Sequence, residues 1–440
     1  MEILIKAGQF LLSISILVVL HEFGHFLFAK LFKTRVEKFY LFFNPWFSLF
    51  KFNKGETEYG MGWIPLGGYV KISGMIDESM DKEQMKKPPQ PYEFRAKKSW
   101  KRLLIMLGGV VVNFITALVI YSAVLYVWGD SYLPNKNVKH GIMVDSLAYD
   151  MGLRSGDKIL SLDGQEVQNF HSIVPEIVLE DVKAVQIERD GKKREIPVPE
   201  TIIPQLLKTQ GFIEARIPFY VAGFIKDSPA EEAGLELDDR IIGINNVPTN
   251  YYDQFQKEIS NYKDTLVQLN ILRETDSLMY HVKVSKEGFI GVYAESPFSI
   301  YQLEKNEYSL TASIPAGIDK GLETFSSYLK QLKLIFSPKT EAYKSLGGFI
   351  TIGKIFPGTW NWQAFWNLTA FLSIILAIMN VLPIPALDGG HVMFLLYEMI
   401  TGRKPSDKFM EYAQITGMII LLALLLYANG SDVFRLFNDG

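Results

Sequence analysis

The sequence predicts a polytopic α-helical membrane protein of four transmembrane helices, with two small α/β domains inserted between the second and third. Three observations carry this reading. Four long stretches are apolar enough to cross a bilayer, the segment between the second and third contains a two-copy repeat, and the first stretch holds a His-Glu-x-x-His cluster that a helix serving only as an anchor does not need.

Composition narrows the classes of function. The 440 residues are 48% hydrophobic and 21% charged, with a formal net charge of -3, which excludes a disordered chain and a nucleic-acid-binding one. There is no cysteine, so there is no disulfide, thiolate metal site or cysteine nucleophile. Any metal must be held by nitrogen and oxygen, and only six histidines are available.

The first span, within residues 1–33, is apolar from Ala7 to Ala29 except for His21, Glu22 and His25. It is too long for a signal peptide and lacks a small-x-small cleavage site, so it is read as retained. The loop at 34–102 follows, then a second span at 103–128 whose stretch from Leu103 to Trp128 carries no charge. A third span at 361–390 is uncharged from Asn361 to Leu387, and a fourth at 411–430 is uncharged from Tyr412 to Ala428. Residues 30–102 carry 15 Lys+Arg against 8 Asp+Glu, whereas 131–300 carry 18 against 26. The positive-inside bias places the first loop in the cytoplasm, and the acidic segment and both termini outside.

The exported segment repeats itself. Asp145-Ser-Leu-Ala-Tyr-Asp-Met-Gly-Leu153, followed by Gly156-Asp157-Lys-Ile159 and Asp163-Gly164, is matched 82 residues later by Asp227-Ser-Pro-Ala-Glu-Glu-Ala-Gly-Leu235, Asp239-Arg-Ile241 and Asn245-Asn246. That spacing is one small domain. Each copy resembles a PDZ domain in its circularly permuted form, giving PDZ domains at 131–217 and 218–300 whose grooves could take peptide C-termini by strand addition. Asp238-Asp239 stands where the first copy has Gly156-Asp157, so the second turn is expected to differ. At 311–337, apolar residues at helical spacing are interrupted by Asp319, Lys320, Glu323, Lys330 and Lys333, the pattern of an amphipathic interfacial helix.

The chemistry is concentrated in His21-Glu22-Phe23-Gly24-His25. On a helix, residues i and i+4 share a face, so two imidazoles can grip one cation with Glu22 beside it as a base. Ionisable groups inside a span are costly unless paired or used. Zinc needs a third protein ligand and an open position. Leu31 stands where a third histidine of the soluble pattern would fall, and His140, His171 and His281 lie in the exported segment. The run Asn380-Val-Leu-Pro383-Ile-Pro385-Ala-Leu387-Asp388-Gly389-Gly390-His391 offers Asp388 at an apolar segment whose helix two prolines break. His391 is a rival that spacing alone leaves open.

His21-Glu22-x-x-His25 in a first span, with Asn380-x-x-Pro383-x-Pro385-x-Leu387-Asp388-Gly389 in a later one, resembles the site-2 protease family of intramembrane zinc proteases. The tandem PDZ insertion is that of its bacterial branch, and the resemblance covers essentially the whole chain. It implies one zinc ion on His21, His25 and Asp388, with Glu22 as general base. It implies a substrate-binding set of Asn380, Pro383, Pro385, Gly67, Gly68 and Asn113. Trp63-Ile-Pro65-Leu66-Gly67-Gly68-Tyr69-Val70-Lys71 resembles the family's membrane-associated β-hairpin, and Gly109-Val-Val-Val-Asn113 its G-x-x-x-N element. The implied activity is cleavage of single-span membrane proteins such as anti-sigma factors and remnant signal peptides, pre-cut by another protease. The implied location is the cell inner membrane, with the active site towards the cytoplasmic side. Two positions depart from the family pattern, Val110 and Phe349 standing where prolines are usual. A non-catalytic adaptor would not need all three ligands and Glu22, and a metal transporter would need polar residues on the second and fourth spans, which offer little beyond Asn113.

Overall fold

A computed structural model describes residues 1–75, 88–209, 211–338, 340–345 and 347–438. Residues 76–87 of the expected cytoplasmic loop lie outside the described residues. The chain divides into two compact units, one of Met1–Gly129, Glu307–Lys333 and Leu346–Gly440, the other of Asp130–Asn306 and Leu334–Ser345.

Among the described residues, four helices of the first unit are long and apolar enough to cross a membrane: Glu2–Leu31, Ser99–Trp128, Trp362–Val381 and Asp407–Asn438. At 1.5 Å per residue the first two reach about 45 Å, enough to span the hydrocarbon and continue into the interface. The second span lies between the first and the third, burying Ile105, Met106 and Ala117 along its length. It runs without a break through Val110. The helix Leu310–Ile335 packs on the second span, where Gly317 and Gly321 leave room for Ser122 and Leu118, and Phe325 meets Phe114 edge-on.

Between the first two spans the chain forms a four-stranded sheet of order β2-β3-β1-β4, from β1 (Val36–Phe43), β2 (Phe50–Lys54), β3 (Thr57–Met61) and β4 (Ile64–Ile72). The segment compared above with a hairpin is the edge strand β4, antiparallel to β1. Strands β1 and β3 pair in parallel, with β2 and its turns as the connection.

The short helix Phe349–Lys354 has its N-terminus capped from the fourth span. Asp432 accepts from Gly348 N–H at 3.0 Å and Thr351 N–H at 2.9 Å, and Asn429 accepts from Phe349 N–H at 3.1 Å. At Phe349 the departure from proline therefore supplies a donor that proline lacks.

The second unit contains two sheet-and-helix assemblies with separate cores. The first core gathers Leu133, Leu153, Ile159, Ile173, Val185 and Ile187, the second Phe219, Leu235, Ile241, Phe255, Leu269 and Ile271. The sequence repeat is a repeat of structure. In each copy a buried aspartate caps the turn after the short helix, Asp157 accepting from Arg154 N–H and Asp239 from Glu236 N–H, both at 2.8 Å. Each is then gripped by an arginine at the end of the neighbouring strand, Arg189 at 2.6 and 2.7 Å and Arg273 at 2.8 Å twice. The expected difference in the turn is absent. Asp238 adopts φ +66° where Gly156 adopts +99°, since aspartate tolerates the left-handed region better than most residues.

Arg273→Ala leaves Asp239, which is fully buried, without its guanidinium, and should destabilise this assembly by about 3 kcal/mol. Glu236→Ala, removing the arginine's other and largely exposed partner, should cost under about 1 kcal/mol. Urea unfolding of both variants followed by circular dichroism measures the difference.

Candidate metal centre

The site begins where two helices touch. A Cβ on Gly24 would lie 2.2 Å from the Gly108 carbonyl oxygen, and one on Gly108 would lie 2.6 Å from that of Gly24. The first and second spans thus cross backbone to backbone, the arrangement that paired small residues allow in membranes. Adjacent Gly109 faces the imidazoles. A methyl group there would sit 2.5 Å from His21 Cε1 and 2.6 Å from His25 Nε2, so glycine leaves the space that both rings fill.

The third ligand comes from beyond the third span. The third span, drawn from the sequence to residue 390 with a break at two prolines, stops as a helix at Val381, because Pro383 and Pro385 cannot continue it. A tight loop follows, with Ile384 N–H donating to Leu382 O at 2.7 Å and Ala386 held at φ +80°. A new helix, Asp388–Thr401, starts at the aspartate itself. Its first-turn position puts the carboxylate at the positive end of the helix dipole. This helix was not anticipated, although Gly402 in the left-handed C-terminal position and the apolar Val392, Leu395, Leu396 and Met399 are legible signs of it. It is fastened to the second span by a buried ion pair between Arg102 and Glu398, with Ser99 donating to the same carboxylate at 3.0 Å.

His21 Nε2, His25 Nε2 and Asp388 Oδ2 form a nearly equilateral triangle. Its edges are 3.2 Å between the nitrogens, and 3.1 and 3.2 Å from each to the oxygen. Ligands on a tetrahedral ion at about 2.0–2.1 Å stand about 3.3 Å apart, so the triangle has the dimensions of a zinc site with its fourth corner open. Asp388 Oδ2 is buried and, despite its closeness to both nitrogens, makes no hydrogen bond of acceptable direction. Two imidazole nitrogens and a carboxylate oxygen converging at this spacing fit a cation. Behind the ligands, His25 Nδ1 lies 2.9 Å from the Ile105 carbonyl, which accepts its proton and leaves Nε2 free to coordinate.

A cavity of about 500 Å³ opens onto the triangle, walled by Glu22, Gly68, Tyr69, Val70 and His391 among others. Glu22 and Val70 of β4 face this cavity together. His391, the rival ligand, lines this cavity but stands outside the ligand triangle. Of the expected substrate-binding residues, Gly68 lines the cavity, while Gly67, at φ +124°, packs under the Phe43 ring. Pro383 and Pro385 belong to the loop that delivers Asp388, and Asn380 lies half-buried in the last turn of the third span; none of the three lines the cavity. Asn113 is fully buried beside His21. Sequence reasoning overlooked Gly24, Gly108, Arg102 and Glu398.

Comparison with known proteins gives the family. The profile of peptidase family M50 matches residues 9–424. The chain belongs to peptidase family M50. The "Regulator of sigma E protease" of Haemophilus influenzae is 28% identical over 99% of this chain and 100% of its own length. The "Protease RseP" of Yersinia pestis is 28% identical, again over 99% and 100%. A protein of Rickettsia conorii named as a zinc metalloprotease is 28% identical over 98% of each chain. This M50 chain is a multi-pass membrane zinc metalloprotease, and the His-His-Asp triangle is where its residues fit the ion.

Gly109→Ala should leave the helix intact or slightly stabilised, since alanine is the better helix former by about 1 kcal/mol, yet it should displace both imidazoles. The purified variant is expected to hold well under half an equivalent of zinc by elemental analysis. Val111→Ala, on an exposed face of the same helix, should load as the wild type does.

Proposed function

We propose that this M50 protease hydrolyses peptide bonds in or beside the transmembrane segments of single-span membrane proteins, with zinc on His21, His25 and Asp388 and Glu22 as general base. The observation that carries the proposal is the convergence of three ligand atoms and one further carboxylate on a cavity walled by an edge strand.

Zinc held there supplies Lewis acidity towards the scissile carbonyl and acidifies the attacking water. Glu22 takes a proton from that water and returns it to the departing amide nitrogen, so one carboxylate serves as base and then acid. His25 is kept in the coordinating tautomer by Ile105. A helical substrate hides its carbonyls in i to i-4 bonds and must unwind before attack. Unpaired backbone in lipid costs several kcal/mol per group, so the unwound stretch needs replacement partners. Strand addition at β4 beside Gly68 supplies them, which is the part assigned here to the membrane-associated sheet. Asn380, in the turn before the Asp388 loop, is assigned to holding the substrate backbone.

The two repeat assemblies are assigned as tandem PDZ domains. Their support is the repeated helix-turn-strand unit and its buried Asp–Arg pair. On the charge asymmetry of the sequence they lie outside the cell inner membrane, with the active site towards the cytoplasmic side. There they act as a size filter that passes substrates already trimmed by another protease, and their grooves are available to peptide C-termini. Membrane-anchored anti-sigma factors and remnant signal peptides have the required form, and the names of the Haemophilus influenzae and Yersinia pestis relatives favour the first.

Cleavage of a single-span substrate by purified protein in liposomes tests the assignment. Glu22→Gln should retain zinc and lose about 10²- to 10⁴-fold in rate. Cleavage by the variant at the wild-type rate would remove Glu22 from the mechanism. A substrate bearing a folded external domain should be cut far more slowly than its trimmed form, and equal rates would remove the size filter.

A further inference from the structure

The two histidines of the triangle are supported differently. His25 Nδ1 faces a backbone carbonyl, an acceptor whose identity is fixed, so His25 carries its proton on Nδ1. His21 Nδ1 faces the side-chain amide of Asn113, at 3.4 Å from the amide nitrogen. An amide can present either of its ends, and which one it presents is decided by the surrounding network. With the nitrogen towards His21, the imidazole must accept on Nδ1 and carry its proton on Nε2, where it would point into the triangle and block coordination. That orientation also leaves Asn113 Oδ1 buried with no hydrogen-bond partner. With the oxygen towards His21, Nδ1–H donates to Oδ1, the Nε2 lone pair faces Asp388 Oδ2 at 3.1 Å, and His21 matches His25.

Asn113 is placed to make this contact and little else. It is fully buried, one helical turn beyond Gly109 and on the same face of the second span. Ser373 of the third span donates to its backbone carbonyl at 2.7 Å and fixes its position along the helix. It does not line the cavity that Glu22 and β4 share.

We propose that Asn113 is a positioning residue for the metal site rather than a substrate contact: its amide oxygen accepts the Nδ1 proton of His21 and holds that imidazole in its coordinating tautomer. The proposal rests on His21 being a zinc ligand. Partners of this kind are worth about 10- to 100-fold in metal affinity.

The test is zinc affinity of the full-length protein in detergent, measured by competition with a chromophoric chelator, for wild type, His21→Ala, Asn113→Leu and Asn113→Asp. Leucine keeps the volume and offers no acceptor, so affinity should fall about 10- to 100-fold. Aspartate can only accept, so affinity should stay within a few-fold of wild type. At saturating zinc, the KM of Asn113→Asp for a single-span substrate should be unchanged. Loss of zinc by the folded aspartate variant would overturn the proposal, because only the donor orientation predicts it, and so would wild-type affinity in the leucine variant. Should leucine not fold, the aspartate arm decides alone. Equal zinc binding by wild type and His21→Ala would instead remove the ligand assignment on which the proposal stands.

Discussion

Backbone contact between Gly24 and Gly108 sets the position of every ligand that follows. Helix pairs separated by ordinary side chains stand about 8–10 Å apart, and a glycine pair with no side chain between the backbones brings two spans closer than that. Here the separation is small enough for the Ile105 carbonyl to reach His25 and for Asn113 to reach His21. The glycines therefore do chemical service through geometry. They are part of the metal site although neither offers a ligand, and Gly109, which borders both rings, belongs to it for the same reason.

Polar groups within the spans are stitched across helices. Thr369 donates to Ser13 at 3.0 Å, Ser373 to the Asn113 carbonyl at 2.7 Å, and Gln9 to the Pro357 carbonyl at 2.8 Å. Interhelical hydrogen bonds in membranes average about 0.6 kcal/mol, so the Thr369 and Ser373 bonds together contribute about 1 kcal/mol, Pro357 lying in the loop before the third span. That is too little to hold the helices by itself, and close packing along the second span must do more. Their larger effect is on register. Ser373 fixes the third span against Asn113, and the loop that leads to Asp388 begins only nine residues later.

Much of this was legible because the information is local. The i, i+4 spacing of His21 and His25 needs only a helix, the uncharged runs need only a bilayer, and the repeat announces itself by similarity. The third ligand was less legible: spacing left Asp388 and His391 both open, and only the fold brings the first into the triangle and leaves the second at the cavity wall. The sheet between the first two spans was less legible, since pairing β1 with β3 in parallel depends on a connection whose path no alternation pattern records. The Gly24–Gly108 contact was illegible for a related reason. Glycines are common in membrane helices, and which of them meet depends on how the spans cross.

The fourth span explains why Phe349 can replace a proline without harm to the fold. The span touches the rest of its unit at Gly417, where a Cβ would lie 1.8 Å from the Pro385 carbonyl oxygen, and its Asn429 and Asp432, one turn apart, cap the helix Phe349–Lys354. Proline at 349 would need no cap at its own nitrogen. Phenylalanine presents an N–H that must be satisfied, and Asn429 accepts it. Parting this span from the short helix would leave the Gly348, Phe349 and Thr351 donors without these acceptors, at about 1–3 kcal/mol each where no water replaces them. The same displacement would uncover Pro385 in the loop that delivers Asp388. The cap therefore restrains the metal loop through the fourth span, and the backbone N–H that Phe349 has and proline lacks supplies part of that restraint.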